Sequence, residues 1–126
     1  MNTRTFNTCY NKHMEDLTRK KCVPCEGGVA PLAGDALKPY LAQVPEWAPI
    51  EGERKIRREF HFKDFKETIG FVNRVARLAE EEGHHPDMFI FYNRLIVELW
   101  THAIGGLSEN DFILAAKMDR LRSDRE

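Results

Sequence analysis

The chain has 126 residues, 42% apolar and 31% charged, with 19 Lys and Arg against 20 Asp and Glu. A chain this long forms one domain that hides roughly two-thirds of its extended surface on folding, so two catalytic domains are excluded and no disulfide staples are needed. A net charge of −1 gives no general attraction for nucleic acid, no apolar run approaches the length of about eighteen residues that marks a membrane span, and the polar N-terminus lacks the apolar stretch of a signal peptide, which together suggest a cytoplasmic protein.

Residues 1–34 lack sustained periodicity and end in the Gly- and Pro-rich stretch CVPCEGGVAPLAG, so they read as an appended, partly mobile extension. Asp35 can cap a short helix in which Leu37, Tyr40, Leu41 and Val44 follow helical spacing, with Pro39 in or near the first turn, where a missing N–H costs little. The stretch around Trp47 and Ile50 reads as a short strand, and Glu51-Gly52 as the turn after it. Ile56, Arg58, Phe60 and Phe62 then alternate with Lys55, Arg57, Glu59 and His61, the period of a half-buried strand.

Asp64 and Glu67 resemble a capping box, and Phe65, Ile69, Val72, Ala76 and Ala79 recur at helical steps behind them. Gly83 and Pro86 supply the stop. Met88 to Tyr92 and Leu95 to Thr101 read as two strands of a hairpin closed by Asn93-Arg94. Ser108 caps a last helix through Phe112, Ala115, Ala116, Met118 and Leu121, followed by the charged tail 122–126. The order is α-β-β-α-β-β-α over residues 35–121: an α+β domain with a four-stranded, mostly antiparallel sheet and helices on one face.

His84, His85 and His102 flank the predicted hairpin. With Asn93-Arg94 as its loop, Tyr92 faces Leu95 and His102 falls opposite His85, which brings three imidazoles to one end of the hairpin. An unperturbed pKa of about 6.5 lets histidine both give and take a proton near neutrality, so the cluster suits general acid–base work. Singly, each is as well explained as a cap or a surface group; it is their convergence that favours function. Zinc on three histidines is the rival arrangement. Adjacent His84 and His85 point to opposite faces of extended backbone, however, and no HExxH spacing is present.

Asp111 has two readings, a first-turn carboxylate favoured by the helix dipole or a pocket group that holds a substrate amine. Lys55, Arg57, Arg58 and Lys63 read as a solvated basic face, with a nucleic-acid or acidic-partner patch as the alternative. Trp100 and Phe89 read as core, and His61 as a surface residue.

The segments EEEGHHPDMFIFYN and THAIGGLSENDF together resemble the two motifs of the pterin-4a-carbinolamine dehydratases, and weaker similarity runs from Leu37 to Leu121 through Trp47 and the FxFxDF of Phe60 to Phe65. The resemblance implies the same α-β-β-α-β-β-α fold and a dehydratase that uses neither cofactor nor metal and acts on 4a-hydroxytetrahydropterin. It assigns catalysis to His84, His85 and His102, with His85 and His102 as the proton-transfer pair and His84 as a positioning or electrostatic partner. Asp111 and Glu80 become substrate-binding residues. Met88 stands where the family often has Trp, a departure that bears on affinity rather than on reaction type. A homodimer or homotetramer and a functional link to phenylalanine hydroxylase in tetrahydropterin recycling are further implications. A molybdopterin-related pterin-binding role and a dimerisation cofactor for transcription are the alternatives that the motifs leave open.

An odd count of three cysteines argues against a disulfide framework. Cys9, His13, Cys22 and Cys25 would together supply four zinc ligands, and the EGG after Cys25 resembles the turn of a zinc knuckle; a dithiol and a simple reduced tail are the alternatives. The CVPCEGG stretch resembles an extension of some bacterial members of this family. On this view the extension is an accessory separate from the histidine site.

Overall fold

A computed structural model describes residues 15–24 and 27–125. Its regular elements are α1 (Lys38–Gln43), β1 (Ala48–Ile50), β2 (Lys55–His61), α2 (Phe65–Glu82), β3 (Asp87–Phe91), β4 (Arg94–Leu99) and α3 (Glu109–Arg125), the predicted order. The four strands form one sheet in the order β1-β2-β4-β3, every neighbouring pair antiparallel.

The alternation read in β2 decides which side of the sheet is covered. Ile56 and Phe60 are buried with Leu95, Val97 and Leu99 of β4, and Phe71 and Val75 of α2 and Phe112 and Leu114 of α3 join the same cluster. Arg58 lies among these apolar partners because Asp119 of α3 receives its guanidinium at 2.6 Å and the Trp47 indole N–H at 2.8 Å. Burial pushes the Asp119 carboxyl above its ordinary range, against the pull of these two donors. On the open face, Lys55 pairs with Glu51 and Glu98, and Arg57 and Arg94 pair with Glu59. Most of the basic segment is thus matched by carboxylates, which supports the solvated-face reading.

Four local expectations change. Asp35 does not cap α1: it lies inside a 3₁₀ turn, Gly34–Leu37, that leads into the helix, and pairs with Lys38 at 3.1 Å. The buried stripe of α2 is Thr68, Phe71, Val75 and Ala79, while Phe65 is 49% exposed, because the Thr68 hydroxyl donates to the Asp64 carbonyl and so enters the core satisfied. The hairpin turns at Tyr92-Asn93, with Phe91 opposite Arg94 and Tyr92 at φ 53°, so the register lies two residues from the expected one and each side chain keeps its face. Phe89 is 44% exposed on the open face rather than core.

The capping of α2 follows its sequence. Asp64 accepts from the Glu67 N–H at 2.9 Å, and Gly83 ends the helix at φ 67°, a left-handed conformation that glycine adopts cheaply. In α3, residues 110–116 are all buried. The described part of the extension packs on this body: Leu17 is 0% exposed, and Leu32 donates its N–H to the Leu107 carbonyl at 2.8 Å. Gly106 is required there, since a Cβ would stand 2.8 Å from Pro31.

Candidate active site

Two chain reversals build the site. Gly83 ends α2 and passes the chain to His84 and His85, and β4 runs out through Trp100 and Thr101 into a 3₁₀ turn, His102–Ile104, that Gly105 closes at φ 67°. The three histidines, Trp100, Val23 and Pro24 line one cavity of about 360 Å³. The convergence expected of His84, His85 and His102 is therefore present, although the shifted register sets neither His85 nor His102 within the paired strands.

His84 and His85 point apart, as neighbours in extended backbone do. His84 Nε2 is 2.6 Å from Asp111 Oδ1, with the side chains 13% and 0% exposed. A carboxylate only accepts, so the imidazole nitrogen is the donor. Asp111 Oδ2 accepts from the Thr101 hydroxyl at 2.8 Å and the Ser108 N–H at 3.0 Å. Both oxygens are thus hydrogen-bonded in a fully buried position, as buried polar atoms require. Asp111 stands behind His84 rather than on the cavity surface. It also supplies the reciprocal bond of a capping box at the start of α3, which fits the first-turn reading, whereas a carboxylate enclosed behind His84 is not placed to hold a substrate amine directly.

His85 Nε2 is also 2.6 Å from a carboxylate, Glu80 Oε2, but these side chains are 60% and 78% exposed. Glu80 thus contacts a cavity histidine from the end of α2. The His102 ring lies 3.9 Å from the Trp100 ring, centroid to centroid. Trp100 is half-buried and lines the cavity, so it is a pocket wall rather than core. Its indole N–H is buried and finds no acceptor among the described residues.

Sequence reasoning missed Trp100, Asn110, Val23 and Pro24 as cavity residues. Asn110 adjoins Asp111 and Trp100 lies two residues before His102, and that nearness to assigned residues was the available signal. Val23 and Pro24 belong to the extension, which therefore reaches the histidine cavity instead of standing apart from it. Of the proposed zinc ligands, Cys9, His13 and Cys25 lie outside the described residues. The Cys22 thiol is half-buried and 3.5 Å from the Asn110 carbonyl; burial, reinforced by the Glu82 carboxylate, pushes its pKa up to about 12. That favours the protonated thiol over the thiolate that metal or redox chemistry uses. No described helix is long and apolar enough to cross a membrane.

A family model described as pterin 4 alpha carbinolamine dehydratase matches residues 30–121. A Rubrobacter xylanophilus protein, provisionally named a pterin-4-alpha-carbinolamine dehydratase, is 48% identical over 108 residues, covering 86% of this chain and 100% of the relative. A protein of the same provisional name from Alkaliphilus metalliredigens is 44% identical over 111 residues, covering 88% and 100%. Among solved structures, that of a transcriptional coactivator/pterin dehydratase from Brucella melitensis matches with TM-score 0.69 and 36% identity, over 72% of this chain and 97% of that one. A pterin dehydratase-like protein identified as a RuBisCO assembly factor in the alpha-carboxysome matches with TM-score 0.54 and 25% identity, over 60% and 88%.

Proposed function

The chain belongs to the pterin-4a-carbinolamine dehydratase family, and on that premise we propose that its three-histidine cavity converts 4a-hydroxytetrahydropterin into quinonoid dihydropterin and water. The observation that carries this reading is one cavity lined by three imidazoles, one of them held by a fully buried carboxylate.

The chemistry needs two proton movements. The N5 lone pair drives out the 4a-hydroxyl, which leaves as water after taking a proton, and the N5–H proton is lost as the C4a–N5 double bond forms. His85 and His102, the more exposed pair, carry these protons: the cationic ring donates to the hydroxyl and the neutral ring accepts from N5. His84 is the positioned partner, its ring fixed through Nε2 by Asp111. Asp111 acts through His84, while Glu80 meets His85 in solvent and leaves its ring mobile.

We infer further that the enzyme serves tetrahydropterin recycling in the cytoplasm, beside a hydroxylase such as phenylalanine hydroxylase that forms the carbinolamine. It works as a homodimer or homotetramer. Phe89, Ile90 and Phe91 are exposed on β3, whose outer edge pairs with no strand among the described residues, and an apolar edge of this kind favours a second copy. Phe65 and the half-buried Ile69 on α2 offer a second apolar surface.

The test is turnover of synthetic 4a-hydroxytetrahydropterin by purified protein, with its mass in solution from light scattering. The expected result is dehydration faster than in buffer, unchanged by chelator, from a dimer or tetramer. No acceleration over buffer would overturn the reading, and loss of activity with chelator would overturn its metal-free chemistry.

A further inference from the structure

Val23 is held by a single side chain in the manner of a strand partner. Its N–H donates to Asn110 Oδ1 at 3.0 Å, and Asn110 Nδ2 donates to its carbonyl at 2.6 Å. Asn110 is only 6% exposed, and its two bonds fix the position and direction of the backbone. On the N-terminal side, the Cys22 N–H donates to Glu82 Oε1 at 2.9 Å, while Glu82 Oε2 takes Lys117 at 2.5 Å. Lys20 reaches Glu109 at 2.8 Å. On the other side Pro24 fixes its own φ and biases Val23 towards extended backbone.

Backbone pinned at three successive points leaves its apolar side chains on the cavity. Val23 lines that cavity and remains 64% exposed, an open apolar surface on a rigid support. Such a surface in the same cavity as the three imidazoles suits an apolar contact with a bound ligand. In a reduced pterin C6 is bonded to N5, so a group on C6 projects from the reacting edge, towards the walls that flank the histidines.

We propose that Lys20–Pro24 is a wall of the catalytic pocket that meets the C6 substituent of the substrate, with Val23 as the specificity-determining contact and Asn110 as the residue that positions it. The inference rests on the dehydratase reading above. It makes the extension a part of substrate selection.

The experiment compares two substrates, 4a-hydroxytetrahydropterins bearing a methyl or a dihydroxypropyl group at C6, with wild type, Val23→Phe, Asn110→Leu and Asn110→Gln. The larger Val23→Phe side chain raises KM for the dihydroxypropyl substrate about tenfold more than for the methyl one, with a smaller change in kcat. Asn110→Leu, which removes both bonds to the Val23 backbone, also alters the KM ratio, and Asn110→Gln, which keeps an amide donor and acceptor, restores part of it. An unchanged KM ratio in Val23→Phe overturns the proposal while wild-type turnover leaves the dehydratase reading standing. Wild type that turns over neither substrate, and binds neither of the matching 7,8-dihydropterins, overturns both. Val23 is exposed, so its variant decides the matter even where an Asn110 variant fails to fold.

Discussion

Two histidine–carboxylate pairs of equal length flank the corner after α2 and differ in surroundings. His84–Asp111 is buried, and its carboxylate is also bound by Thr101 and Ser108; His85–Glu80 stands in solvent. At the same 2.6 Å separation, water screens the exposed pair to about 0–1 kcal/mol and leaves its side chains free to exchange partners. Removing one partner of a buried pair strands a desolvated group and costs about 3–5 kcal/mol. Burial therefore separates the two rings where distance does not: His84 is held against an enclosed carboxylate, and His85 stands in solvent.

The contrast is broken most severely at Asp111. Asp111→Asn keeps the volume but weakens the acceptor for His84, and kcat should fall about a hundredfold with a loss of about 2–3 kcal/mol in denaturant unfolding. A variant of wild-type activity and stability would remove the distinction. Glu82 then separates burial from location, because it lies two residues from Glu80 but its side chain is only 5% exposed. Burial alone would raise its carboxyl pKa, yet the Cys22 N–H and Lys117 more than offset this and hold it below its ordinary range. With the folded value below the unfolded one, its contribution is complete above the unfolded carboxylate pKa of about 4.3 and disappears as pH falls through the folded value. Glu82→Gln should therefore lower stability at neutral pH and flatten the acid limb of a stability–pH curve; an unaltered limb contradicts this. Glu80→Gln should do least, moving kcat by less than about threefold and stability by less than about 0.5 kcal/mol, read by the same assays. A hundredfold loss of kcat there would make the exposed pair the essential one.

The order of elements was legible because β2 alternates strictly and α2 carries both its cap and its glycine stop, signals that need no tertiary information. The face of α2 was not. Its apolar residues run along two adjacent stripes, and the buried one contains Thr68, whose polarity is cancelled by a bond to Asp64 that a residue pattern does not display. The hairpin register was hidden in a similar way: Asn93-Arg94 looks like a turn, while the left-handed residue is Tyr92, an aromatic whose ring stacks on Phe65 of α2. Convergence of the histidines survived the two-residue shift because every nearby register leaves them at the same end. The Val23 wall left no trace in periodicity, since side chains of α2 and α3 rather than a ladder hold its backbone.

The central claim is that imidazoles of this cavity move the protons of dehydration. Stopped-flow loss of the 4a-carbinolamine by wild type and by His85→Ala/His102→Ala tests it most directly, with circular dichroism to show that the fold is kept. General acid–base groups each contribute about 10²- to 10⁴-fold, so the double variant should lose at least about a hundredfold in kcat. A folded double variant that dehydrates the substrate at the wild-type rate would contradict the account.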